Sequence, residues 1–257
     1  MFPARLPTPE PPDRQCTKWP GGGLAAPARY ARRMALAPRQ TSLFGGGAPA
    51  AAPDLGGVRR TELDAGAWVE HVPSWVSGHE ALLQELASTT RWQSLSREMY
   101  DRTVDVPRLV ASLPEDGPGH PLLEEARLAL SRHYGTAFAH VTMALYRDGR
   151  DSVAWHGDYV ARELMEDTLV ASLSLGEPRR FLLRPRKVPG ADAGVGTTAD
   201  AMRGTRSVSF NLGWGDLFVM GGACQRTWEH AVPKVSRAQP RLVVMFRPTW
   251  ALIQQAK

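Results

Sequence analysis

Cysteine is nearly absent: Cys16 and Cys224 are the only two in 257 residues, and they lie more than two hundred residues apart. Neither a disulfide framework nor a thiolate zinc site can be built from such a pair. Long apolar runs are missing too, since no stretch approaches the ~18 uninterrupted apolar residues of a membrane span. The opening MFPARLPTPEPPDRQ carries prolines and acids where a secretory leader needs an apolar centre, so a cytoplasmic protein with no membrane partner is expected. Lysine is scarce as well. Only Lys18, Lys187, Lys234 and Lys257 occur among 31 basic residues, so the positive charge is almost wholly arginine. Hydrophobic residues at 43% and charged residues at 22% exclude collagen-like, coiled-coil and wholly disordered chains. The length suits one all-β domain or two smaller ones.

The net charge of +5 is unevenly spread: residues 1–60 carry 9 Lys+Arg against 3 Asp+Glu, residues 61–170 carry 9 against 18, and residues 171–257 carry 13 against 5. Basic ends around an acidic middle suit a polyanionic partner such as nucleic acid, because clustered cations attract phosphates more than their sum implies. Compositional drift toward arginine, alanine and glycine accounts for the same numbers.

Residues 1–57 are crowded with proline, glycine and alanine, a composition that buries too little apolar area to offset its ordering entropy, and they read as a disordered tail. Met34 lies inside it, so either Met1 or Met34 can be the start. From Val58 to Lys257 the pattern is that of a single domain. Ser77-Gly-His-Glu80 has capping-box spacing ahead of Leu82, Leu83, Leu86 and Ala87, predicting a helix over 78–90. Pro121 opens a second, ending near Gly135. Residues 91–118 read as irregular or extended. Short β-branched and aromatic runs then follow at 138–146, 168–175, 179–184, 206–211, 215–220, 228–232 and 241–247, separated by turn signals. The expected architecture is mainly β with some α: a jelly roll, or double-stranded β-helix, with N-terminal helices packed on it.

Of seven histidines only His156 is followed two residues later by an acid, Asp158, and residues i and i+2 of an extended segment share a face. His230 is the only histidine downstream. Two imidazoles and a carboxylate are the donor set of non-haem Fe(II), with positions left for a co-substrate and O₂. In the final run Arg241 and Arg247 are six residues apart, so both face one way on an otherwise apolar strand. Pointing inward they need anionic partners, for which a dicarboxylate is one answer; pointing outward they make a basic edge strand.

The order H-x-D, distant His, R-x5-R resembles the AlkB family of Fe(II)- and 2-oxoglutarate-dependent dioxygenases. Tyr146-Arg-Asp-Gly-Arg-Asp151 before His156, the turn strand Gly215-Asp-Leu-Phe-Val-Met220, Trp228-Glu-His230-x-x-Pro233 and Arg241 to Arg247 follow in family order, and the likeness covers about residues 95–250. It implies that His156, Asp158 and His230 hold Fe(II). It also implies that Arg241 and Tyr146 bind the distal carboxylate of 2-oxoglutarate, with Arg247 beside the carboxylate next to the keto group. The activity implied is O₂-dependent hydroxylation of an N-alkyl group on a nucleobase in DNA, the hemiaminal then collapsing to an aldehyde and the restored base. Two departures stand out: Ala144 replaces a frequent asparagine, and Val160 replaces the acid that many nucleotide-demethylating members carry.

Met99 to Arg108 resembles the nucleotide-recognition lid of duplex-acting members, within a lid of about 91–118. Tyr100 would then be a wedge for a flipped base, with Arg102 and Arg108 meeting phosphate or base. Tyr100 as a half-buried aromatic and the arginines as loop solvators remain open alternatives, while Trp92 reads as core. Two functional rivals also stay open. One is the same chemistry on RNA, tRNA or a small molecule; the other is a metal-free jelly roll that binds anions. In the tail, Gln40-Thr-Ser-Leu-Phe44 resembles the peptide by which bacterial repair proteins dock on the sliding clamp.

Overall fold

The computed structural model of the chain describes residues 29–30, 47–52, 54–99, 102–113, 119–158, 167–186 and 207–248. In chain order the strands are β1 (Arg29–Tyr30), β2 (Ala50–Ala51), β3 (Arg59–Glu62), β4 (Ala67–Val72) and β5 (Val76–Ser77), then helix α1 (His79–Thr89). The hairpin β6 (Gln93–Met99) and β7 (Arg102–Ser112) and helix α2 (Pro121–Tyr134) follow. The remainder is β8 (Phe138–Tyr146), β9 (Val153–His156), β10 (Val170–Gly176), β11 (Arg179–Pro185), β12 (Val208–Leu212), β13 (Asp216–Gly222), a one-turn helix α3 (Cys224–Thr227), β14 (Trp228–Val232) and β15 (Arg241–Pro248).

Alternation along β15 sets the layering. Leu242, Val244 and Phe246 are fully buried against α1 and α2, while Val243 and Met245 pack in a second cluster with Phe181 and Leu183 of β11 and Trp228 of β14. The strand is therefore central, between β8 and β10 in a sheet ordered β1-β6-β7-β8-β15-β10-β13-β4-β3. A four-stranded sheet, β12-β11-β14-β9, faces it across the second cluster. Two sheets with helices behind one of them is the expected jelly roll. A basic edge strand is excluded for β15, because its arginines share the face of Val243 and Met245.

Several local expectations change. The capping box does not form: the residue before α1 is Gly78 at φ +61°, and Ser77 donates its hydroxyl to the Ala50 carbonyl at 3.4 Å. The reason is close approach, since a Cβ on Gly78 would stand 2.6 Å from the Gly47 carbonyl oxygen. Helix α2 begins and ends as expected, with His120 Nδ1 accepting from the Leu122 amide and Gly135 left-handed at its end. Residues 91–118, read as irregular or extended, include a long antiparallel hairpin. Strands β1 to β5 and β9 were not expected, β1 and β2 falling within the stretch read as a tail; all four residues of β3 are exposed, so it shows no inward alternation. Leu55 is buried and the Asp54 carbonyl accepts from Trp75 Nε1, so packed chain reaches into the stretch that composition assigns to the tail. Trp92 is core, its indole N–H donating to the Ala87 carbonyl. Gln40 to Phe44, Tyr100 and Val160 lie outside the described residues.

The turn before β9 is clamped from below. Arg147 and Asp151 make an ion pair with three N–H···O contacts of 2.8 Å, and Asp151 is buried. Arg179, also buried, donates to the carbonyls of Asp148, Asp151 and Pro233 at 3.2, 3.1 and 2.7 Å. One guanidinium thus ties the entrance of β9 to the exit of β14. A Cβ on Gly149 would lie 2.3 Å from the Val235 carbonyl oxygen, so the turn admits only glycine there. Replacing Arg179 by methionine keeps bulk but strands three carbonyls, and should cost about 3 kcal/mol. A thermal melt should show a fall in Tm of roughly 9 °C; a shift below ~2 °C would contradict the clamp.

Candidate metal and anion site

His156 is the last residue of β9 and stands directly opposite His230 of β14, their ring centroids 4.2 Å apart. Register shifts between His230 and Val232, where β9 carries one extra residue, and such a bulge re-aims the side chains beside it. Asp158 lies two residues beyond His156. One ligand atom from each of the three falls within 4.8 Å of the others. His230 is buried and the other two are partly exposed, so the cluster opens to one side.

The protonation states suit a cation. Burial, assisted by the nearby His156, Arg247 and Arg108 charges, brings His230 down to about 3, so it is a neutral imidazole. His156 is lowered too, chiefly by burial. Its Nδ1 sits 2.9 Å from the Ala154 carbonyl, which sets the N–H there and leaves Nε2 with the lone pair. Burial opposes charge on Asp158, but Arg247 and the two histidines outweigh it and hold the carboxyl well below the usual range. Two neutral imidazoles and one carboxylate fit Fe(II).

Both arginines of β15 face this space, with different partners. Arg247 donates to Asp158 Oδ2 from Nε at 3.1 Å and Nη2 at 2.7 Å, while Nη1 reaches Thr142 Oγ1 at 2.9 Å. Arg241, 2% exposed, pairs in register with Tyr146, and its guanidinium carbon lies 5.3 Å from that ring's centre. Its Nη2 donates to Ser174 Oγ at 3.0 Å, but Nε and Nη1 are buried with no hydrogen-bond partner among the described residues. Burial lowers the group to about 10, which still leaves it charged at neutral pH. A buried cation with unanswered N–H groups fits an anionic ligand, and a carboxylate supplies the acceptors.

Of the lid residues, Arg108 donates to the Ser152 carbonyl at 3.4 Å, and its charge contributes to lowering both histidines, so it stands beside the cluster. Arg102 starts β7, and Tyr100 is outside the described residues. Ala144 falls opposite Val243, on the same face as Tyr146. Sequence reasoning missed Thr142, although it sits at even spacing from Tyr146 on β8. It also missed Gln225, whose four-residue helix leaves no periodic signal.

His156→Ala, Asp158→Ala and His230→Ala should each abolish tight Mn(II) or Fe(II) binding, measured by electron paramagnetic resonance or calorimetry; near-normal binding by any of them contradicts the triad. Arg241→Ala should leave metal affinity largely intact while raising the 2-oxoglutarate requirement about tenfold to a hundredfold.

Comparison with known proteins gives the family. The family model described as the 2OG-Fe(II) oxygenase superfamily matches residues 69–249. "Alpha-ketoglutarate-dependent dioxygenase alkB homolog 3" of Homo sapiens is 32% identical over 193 residues, which is 69% of this chain and 65% of that protein. The chain therefore aligns with just under two thirds of that relative's length. "DNA oxidative demethylase ALKBH2" of Arabidopsis thaliana is 33% identical over 44% of this chain and 38% of its own. Among solved structures, the non-heme alpha ketoglutarate dependent epimerase SnoN from nogalamycin biosynthesis superposes with a TM-score of 0.46 at 16% identity, covering 70% of this chain and 77% of that one. The chain belongs to the 2OG-Fe(II) oxygenase superfamily and, within it, to the AlkB family of dioxygenases.

Proposed function

We propose that the chain oxidatively dealkylates N-alkylated nucleobases in DNA, using Fe(II), 2-oxoglutarate and O₂. The observation that carries the oxygenase part is Arg241: a buried guanidinium with Nε and Nη1 unanswered, on the same strand face as the Arg247 that holds a metal ligand. His156, Asp158 and His230 would bind the iron, and Arg241 with Tyr146 would take the far carboxylate of the co-substrate. When bound, the iron supplies activation of O₂ and oxidation of a C–H bond beside nitrogen. This chain's residues orient and hold. Arg247 fixes Asp158 through Oδ2, the Ala154 carbonyl fixes the tautomer of His156, and Arg179 anchors the turn that delivers β9.

A nucleic-acid substrate is supported by the demethylase name of the Arabidopsis relative and by the β6–β7 hairpin, whose strand β7 is tied to the site through Ser152. The charge of the last third supports it less than its count suggests. Arg179 and Arg241 are buried, and Arg184 and Arg247 are paired with Glu229 and Asp158. Tyr100, Arg102 and Arg108 are proposed to meet the substrate.

The test is succinate release by purified protein with Fe(II) and 2-oxoglutarate, across methylated single- and double-stranded DNA and RNA oligonucleotides. Turnover stimulated by methylated DNA is expected, and Tyr100→Ala should lose more on duplex than on single strands. Stimulation by RNA alone moves the substrate; succinate release that no oligonucleotide stimulates points to a small molecule; no release with any substrate favours the metal-free anion binder.

A further inference from the structure

Asp158 is gripped at both ends, and only one grip belongs to the motifs. Its carboxylate is held by Arg247, as described. Its backbone N–H, which lies past the last residue of β9, donates to Gln225 Oε1 at 3.0 Å. Gln225 is 1% exposed. Its other end is fixed as well, because Nε2 donates to Met220 Sδ at 3.6 Å, so the amide's orientation is set with oxygen toward Asp158. The main chain of the same helix closes in beneath the intervening residue. A Cβ on Gly157 would stand 3.0 Å from the Gln225 carbonyl oxygen, 3.4 Å from that of Trp228 and 2.6 Å from Arg186 Nη2.

We infer that Gln225 is a positioning residue: by accepting the Asp158 N–H it fixes the turn that presents the carboxylate ligand to the metal. The sheet cannot do this, because β9 ends at His156 and the ligand is carried on the chain beyond it. A buried amide on α3, itself seated between β13 and β14, transfers the rigidity of the β14 end to that extension. Partners behind a metal ligand commonly change affinity by about tenfold to a hundredfold when removed. This inference rests on the assignment of His156, Asp158 and His230 as the metal site.

Gln225→Met keeps length and bulk but removes the acceptor. Mn(II) titration of the full-length protein, followed by electron paramagnetic resonance, should show a dissociation constant raised about tenfold or more. Met220→Leu removes only the far anchor and should stay within about threefold of wild type. A Gln225 that merely fills space predicts unchanged Mn(II) affinity in both variants, and that result overturns the inference. Failure of the wild type to bind Mn(II) defeats the metal site itself, a separable outcome. If Gln225→Met does not fold, hydrogen exchange at the Asp158 amide of the wild type decides: protection of about tenfold or more over an open loop supports the contact, and exchange at loop rates overturns it.

Discussion

A guanidinium buried in the space between two sheets, met by one hydroxyl and one aromatic ring, is the constraint on which the rest of the site depends. Desolvating a charge is costly unless it is paired, and among the described residues Arg241 meets Ser174 Oγ and Tyr146. The central place of β15 puts it there. The alternation that sends Leu242, Val244 and Phe246 into the helix-side core sends Arg241 and Arg247 the other way. Arg247 finds Asp158, and Arg241 is left with donors that suit a carboxylate. One strand therefore relates the His156–Asp158–His230 cluster to the buried Arg241 guanidinium, and neither can shift without disturbing a fully buried apolar face.

Around this strand, positioning is achieved by buried polar clamps rather than by regular ladder bonds. Arg179 collects three carbonyls from the turn before β9 and the exit of β14, Asp151 caps its own turn through Arg147, and Gln225 takes the amide of Asp158. Each sits where the chain leaves a strand, where backbone groups have no partner in the sheet. The same division explains why the charge of the last third is a poor measure of surface potential: several of its arginines are structural.

Much of this was legible in the sequence, for reasons that can be named. Phe138 to Tyr146 and the β15 run alternate strongly, because each divides two buried faces, and both were bounded to within a residue. Pro121 and Gly135 mark α2 because each has a backbone preference that fits only a helix end. The three residues that cluster between the sheets were visible as H-x-D plus one later histidine. What stayed hidden depended on long-range approach. Nothing near Ser77 announces that Gly47 to Pro49 press on Gly78 and cancel the capping box. An exposed strand such as Arg59–Glu62 has no pattern to read. Gln225 is an ordinary glutamine until β13 and β14 bring it under Asp158. The pairing of Arg247 with Asp158 joins residues 89 apart in the chain, beyond any local signal.

The most direct test of the account is a crystal structure of the protein soaked without oxygen in Fe(II) and 2-oxoglutarate. The account predicts a metal bound by His156, Asp158 and His230, with the far carboxylate of 2-oxoglutarate hydrogen-bonded to Arg241 through Nε or Nη1. A metal elsewhere, or a co-substrate whose carboxylate does not touch Arg241, would contradict it.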